Sequence, residues 1–290
     1  MATQATSQTE STSRSSAASQ AGGRGELTGK LAEIIARKRD EVAALRRLHS
    51  EESLRQAAEQ SEFALRDFAA ALRRDRPLSV IAEIKRSSPS AGTINADFDP
   101  IEVAATYATA GASCLSILTD EHFFGGHADI LTAVRRSQEA SGPPILRKDF
   151  LIDPMQVYQA RMIGADAVLL IAECLDDVEL RDLHQLARSL GMHTLVELYD
   201  AANLDRVLAI APEIVGVNNR DLRTFQVDIN HSRSIRSHVP AEVLFVSESG
   251  LKTRDDTAPL EAAGVDALLI GETLMRADDV AGTMRMLRGR

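Results

Sequence analysis

The 290-residue chain suits one large domain, and a single (β/α)8 barrel takes about 250 residues, so length forces no division. Hydrophobic residues make up 44% of the chain, Trp is absent, and the formal charge is −9, with acids and bases interspersed. The lack of a basic stripe argues against nucleic acid as a partner, and no apolar run reaches the ~18 to 20 residues of a membrane span.

In chain order, residues 1–25 are rich in Ser, Thr, Ala, Gln and Gly. They cannot bury enough apolar surface to offset their ordering entropy, so a disordered tail is expected. An organelle transit peptide is the alternative, but Glu10 and the missing amphipathic pattern speak against it. The start also lacks the apolar core of a secretory signal. Residues 26–290 then read as one domain, expected in the cytoplasm.

From Leu27 a helical period begins, through Leu31, Ile34, Ile35, Val42, Leu45 and Leu48. A second helical pattern uses Leu54, Phe63, Leu65, Phe68 and Leu72 and ends before Pro77. Two helices are therefore expected ahead of the first strand. Beyond Pro77 the chain repeats a short apolar run, a polar loop and a helix. The runs are 80–84, 114–118, 145–146, 167–171, 194–198, 214–217, 243–246 and 267–270. Their spacing is that of βα units. Asp99-Pro100 and Asp153-Pro154 mark helix starts, and Gly111, Gly164 and Gly191 mark helix ends. The fold class is α/β. Eight units favour a (β/α)8 TIM barrel over a doubly wound open sheet.

Cys114 and Cys174 sit in apolar stretches and are expected to be reduced, buried thiols. His122 and His127 share a loop, but no His, Cys and carboxylate cluster has metal-ligand spacing. Neither a metal nor a cofactor is expected.

Charge interrupts the apolar runs at one end only. Period-two alternation places Glu83 and Lys85 with Ile81, Lys148 and Phe150 with Leu146, and Glu197 with Leu195. Asn218 and Glu248 close two further runs. A solvated strand end or a structural ion pair accounts for any one of them. Five strands ending this way serve stability poorly, because unpaired buried charge costs several kcal/mol in real proteins. At the C-terminal mouth of a parallel barrel they converge on one cavity. Ser249-Gly250 after the seventh run and Gly271-Glu272 after the eighth read as a phosphate cradle, although Glu272 suits it only if its side chain turns outward.

Several of these motifs resemble the indole-3-glycerol phosphate synthase family. They are Glu83-Ile84-Lys85-Arg86-Ser87-Ser88-Pro89-Ser90, Leu118-Thr119-Asp120 with Phe123-Phe124-Gly125-Gly126, Arg147-Lys148-Asp149-Phe150, Leu195-Val196-Glu197, Gly216-Val217-Asn218-Asn219-Arg220-Asp221-Leu222 and Ser247-Glu248-Ser249-Gly250. The resemblance runs from about Leu27 to the C-terminus. It implies closure of an indole ring on a phosphorylated, anthranilate-bearing ribulose. By that resemblance Lys148 is the general acid and Glu197 the general base; a lysine serves as acid near neutral pH if desolvation and Lys85 nearby lower its proton affinity. Lys85 would pair with the substrate's carboxylate or phosphate, or donate a proton in the dehydration. Glu83 would hold the lysines, with Arg220 as partner, and Asn218 and Glu248 would bond the ribulose hydroxyls. Phe124 and Phe150 would wall the aryl ring. Ser249, Gly250 and Gly271 would take the phosphate, and Ser88 would lie in the loop that closes over it. The two N-terminal helices would pack over the mouth. Ser87 and Ala91 stand where many members carry Lys, which implies weaker phosphate attraction there. The competing readings are another phosphate-binding barrel enzyme and a non-catalytic binding barrel. A monomer or weak oligomer is expected.

Overall fold

The structure, a computed structural model, describes residues 27–88, 92–93, 99–138, 140–221 and 223–290. The expected tail, Pro89, Ser90, Ala91, Leu222 and the side chain of Ser88 lie outside the described residues.

Eight parallel strands close into a barrel in sequence order: β1 (Ser79–Ile84), β2 (Cys114–Leu118), β3 (Ile145–Lys148), β4 (Ala167–Ile171), β5 (His193–Leu198), β6 (Ile214–Asn218), β7 (Leu244–Glu248) and β8 (Ala267–Ile270). Closure excludes the open sheet, because β1 pairs with β2 on one side and with β8 on the other, Ser79 facing Ala267 and Ala82 facing Ile270. The strands are buried almost throughout, inward by the barrel filling and outward by helices. That double burial is why each reads as an unbroken apolar run. Strands β3, β6 and β7 continue past those runs to Lys148, Asn218 and Glu248, whose backbones still pair, Leu118 with Lys148 and Asn218 with Glu248.

The helix punctuation acts as read. Asp99 accepts from Ile101 N–H ahead of α4 (Pro100–Thr109), and Asp153 from Met155 N–H ahead of α7 (Pro154–Met162). Gly111, Gly164 and Gly191 take the left-handed backbone that ends a helix. Cys114 and Cys174 are buried, and neither is in a disulfide. Among the described residues no helix is long and apolar enough to cross a membrane.

The N-terminal segment departs from the two expected helices. It forms α1 (Gly29–Leu48), α2 (Glu51–Glu59) and α3 (Phe68–Arg74). The helical period breaks between Gln60 and Arg66 because barrel residues take over the backbone groups. Arg66 N–H donates to Asp166 Oδ1 at 2.8 Å, and the carbonyl of Ala64 accepts from Arg135. Only α1 lies at the mouth, where Lys38 meets the loops after β2 and β3. Helix α2 packs Leu54 and Ala58 on Met155 and Tyr158 of α7. Helix α3 lies at the opposite end, which corrects the expectation that the N-terminal helices all pack over the mouth. Phe68 and Leu72 are fully buried there, and their carbonyls accept from the side chains of Cys114 and Ser79 at the starts of β2 and β1. Burying such a side chain contributes about 1.5–3 kcal/mol.

Candidate active site

One cavity of about 240 Å³ opens at the C-terminal ends of the strands, lined by Glu83, Lys85, Phe124, Lys148, Phe150, Glu197, Asn218, Arg220, Glu248, Ser249, Gly250 and Gly271. These are all the expected site residues except Ser88. That residue belongs to a short ribbon (Ser87–Ser88 with Gly92–Thr93) after β1. The period of the strands sorts the charges. Lys148 reaches the cavity, while its neighbour Arg147 is buried on the other side, bonded to Thr119, Asp149 and the carbonyl of Gln156.

Inside, acids and amines are matched. Lys85 Nζ lies 2.7 Å from Glu83 Oε1, and Lys148 Nζ lies 3.0 Å from Glu197 Oε2 and 3.6 Å from Glu248 Oε2. Asn218 Nδ2 donates to Glu197 Oε1 at 3.0 Å and so fixes that carboxylate from β6. Burial alone would raise Glu83, but Lys85 and Lys148, with Arg220 beyond them, hold its carboxyl below the usual carboxylate range. The expected Glu83–Arg220 pair is not formed. The Arg220 guanidinium donates to the carbonyl of Phe225 at 3.2 Å, and Lys85 is the direct partner of Glu83.

The expected lowering of Lys148 is also corrected. Burial pulls its proton affinity down, but Glu197 first, then Glu248 and Glu83, hold it above the usual lysine range. The flaw in the expectation was to count one neighbouring amine and overlook three carboxylates from other strands. Lys148 is therefore an ammonium at neutral pH.

Glu248 moves the other way from Glu83. Burial, followed by the charge of Glu197, pushes its carboxyl well above the usual value, and neither of its oxygens has a hydrogen-bond partner. A carboxyl raised in the folded state stabilises most below its unfolded value, near 4.5, and that contribution is lost as pH rises toward the folded value. Each tenfold displacement of the proton equilibrium costs about 1.4 kcal/mol. Glu248→Gln is therefore expected to melt above the parent at pH 7.5, by about 2–4 °C per kcal/mol in a domain of this size, and to lose that advantage near pH 4. Thermal denaturation at the two pH values checks this. An equal shift at both would show that the carboxyl's proton is not the cause.

Two glycines make room for these groups. A Cβ at Gly216, which faces Glu197 across β5 and β6, would collide with Glu248 Oε1. A Cβ at Gly271 would lie 2.8 Å from Lys85 Nζ and closer still to Glu83 Oε1. The backbone at Gly271 is ordinary (φ −114°), so Gly271→Ala is expected to fold normally yet push the Lys85–Glu83 pair aside. Displacement of a working group by ~1 Å costs about 10²-fold, the drop in kcat/KM expected here with an unchanged Tm. Ser249 (φ 69°) and Gly250 (φ 81°) form a left-handed turn after β7, and Gly250 abuts Val227. Glu272 pairs with Arg276 at 3.2 Å.

The sequence reading missed Phe225, Val227, Lys252 and Thr273 at the rim. Phe225 and Val227 sit on the loop after β6, which doubles back so that Arg220 bridges Val227, and no strand pattern marks it. Lys252, two residues beyond Gly250, could have been flagged as a cation beside the proposed cradle.

Packing of the strands does not call for three glutamates and two lysines in one chamber. Such a set serves proton transfer, and the fold and site together define a (β/α)8-barrel enzyme of acid–base type. The sequence comparisons agree on one family. The family model described as indole-3-glycerol phosphate synthase matches residues 31–287, and the chain belongs to that family. Relatives of that name include one from Rhodopirellula baltica, 50% identical over 215 residues, covering 74% of this chain and 82% of the relative. Another, from Albidiferax ferrireducens, is 48% identical over 258 residues, covering 87% and 96%. Among solved structures, 3-hexulose-6-phosphate synthase superposes with a TM-score of 0.58 at 18% identity, covering 73% of this chain and 99% of that one. Thiamine phosphate pyrophosphorylase from Pyrococcus furiosus superposes at 0.55 and 16% identity, covering 77% and 96%. At that identity the likeness is of fold alone.

Proposed function

We propose that this chain converts 1-(2-carboxyphenylamino)-1-deoxy-D-ribulose 5-phosphate into indole-3-glycerol phosphate, CO₂ and water, as a carboxy-lyase of L-tryptophan biosynthesis. The observation that carries the reading is the Lys148 ammonium 3.0 Å from the Glu197 carboxylate in the barrel mouth, a donor and an acceptor of protons within reach of one ligand. The ring carbon bearing the carboxylate attacks the ribulose ketone, and Lys148 protonates the oxygen as charge develops on it. Loss of CO₂ returns an electron pair to the ring. The hydroxyl formed from the ketone then leaves as water, and Glu197 removes the proton whose loss restores aromaticity.

Lys85, beside Gly271, pairs with the phosphate end and is the second amine available for the dehydration. Glu83 orients Lys85, and Asn218 and Glu248 bond the ribulose hydroxyls. Phe124 and Phe150, ring centroids 6.1 Å apart, wall the aryl ring. The phosphate sits against Ser249, Gly250 and Gly271, with Arg220 and Lys252 as rim cations, and by the family resemblance the loop of Ser88 would close over it. The working unit is the barrel with its helical extension, residues 26–290, acting in the cytoplasm as a monomer or weak oligomer.

Fluorescence with the anthranilate-bearing substrate tests the activity directly. Appearance of the indole product is expected, and its absence with active relatives run in parallel would remove the assignment.

A further inference from the structure

We propose that Lys38, on α1, is a positioning residue for the mouth, its buried ammonium holding the two carboxylates that set the Phe124–Phe150 wall and the strand end bearing Lys148. The inference rests on the reading of Lys148 as proton donor. Lys38 lies on the inward stripe of α1 with Leu31, Ile35 and Val42 and is 2% exposed. Its Nζ is 2.9 Å from Asp120 Oδ2, 2.8 Å from Asp149 Oδ1 and 2.7 Å from Glu41 Oε2.

Each barrel carboxylate does a second job. Asp120 Oδ1 accepts Phe123 N–H at 2.8 Å and so starts α5 (Glu121–Phe124), the short helix that carries Phe124. Asp149 follows Lys148 directly, and its Oδ1 also accepts Phe150 N–H at 2.8 Å. Its Oδ2 takes Arg147 Nη2 at 3.0 Å and Thr119 Oγ1 at 2.7 Å. Burial would raise Asp149, but Arg147 and Lys38 bring it down to about 2, so it stays charged. A plain contact between helix and barrel needs no such group, because packed apolar residues stabilise as well as a buried ion pair. What the ammonium adds is direction: short contacts to carboxylates from two strand ends fix α1 and both loops in one register.

The test measures kcat, KM and Tm of the full chain carrying Lys38→Met, alone and with Asp120→Asn. The asparagine keeps the N-cap and removes a stranded charge. Lys38→Met is expected to lower kcat at least ~10-fold, because the reacting atoms lose their near-attack placement, with KM changed less than about 3-fold. In the double variant Tm recovers while kcat stays low. Should Lys38→Met not fold, the kcat of the double variant decides alone. Recovery of kcat together with Tm, or parent-like kcat in whichever variant folds, overturns the proposal. Lys148→Ala is assayed alongside. Full turnover there sinks the reading of the site itself, whereas loss there with parent-like Lys38 variants sinks only this inference.

Discussion

Lys148→Ala is expected to lower kcat at least ~10³-fold while the substrate still binds, since a proton donor used in the transition state is gone and the phosphate contacts remain. The structure sharpens what that donor is. Glu197, Glu248 and Glu83 raise the amine's proton affinity against the pull of burial, so in the proposed reaction it would act as an ammonium, hydrogen-bonding the ketone oxygen and offsetting its developing charge. Stability follows the same pairing. A lysine raised in the folded state contributes fully below its unfolded value, 10.5, and loses that contribution only as pH rises beyond it. The alanine variant should therefore melt below the parent at pH 7, because the carboxyl groups around it lose their cation. Steady-state kinetics with a melting curve separate the two effects. Near-parent kcat in a folded variant removes Lys148 from the mechanism.

Glu197→Gln is expected to lower kcat at least ~10²-fold with KM within a few-fold of the parent, because the amide keeps the shape and loses the basicity. Its oxygen still accepts from Asn218, which donates to Oε1 at 3.0 Å in the parent. The fold has a substitute charge at hand. After burial, the charge of Glu197 is the largest cause raising the Glu248 carboxyl. Without that charge Glu248 gives up its proton more readily, and 3.6 Å away it is placed to pair with Lys148. The glutamine variant should thus melt close to the parent although it turns over poorly. Unchanged kcat counts against Glu197 as the base, and a collapse in Tm counts against the substitution of one carboxylate for another.

The strands were legible because burial on both faces leaves unbroken apolar runs, as at Cys114–Leu118 and Ala167–Ile171. The site was legible because Glu83, Lys148 and Glu197 are charges where such runs end. Features set by distant residues could not be read this way. The break in the N-terminal helices depends on Asp166 and Arg135, far along the chain from Arg66 and Ala64. The proton affinity of Lys148 depends on carboxylates from three other strands. Lys38 left a trace that went unread. It occupies the spacing of Leu31, Ile35 and Val42, where a charge on an apolar stripe signals a buried partner, yet it stands among solvated Lys and Arg residues.

The α3 helix floors the barrel and leaves the site open at its mouth among the described residues. Phe68 and Leu72 are seated under the strand starts, and among the described residues the site cavity opens at the other end. Carbon dioxide, water and the indole product must all depart by the opening through which the next ribulose arrives. Product lingering in the doorway then blocks entry outright, so inhibition by product should compete with substrate and vanish when substrate saturates.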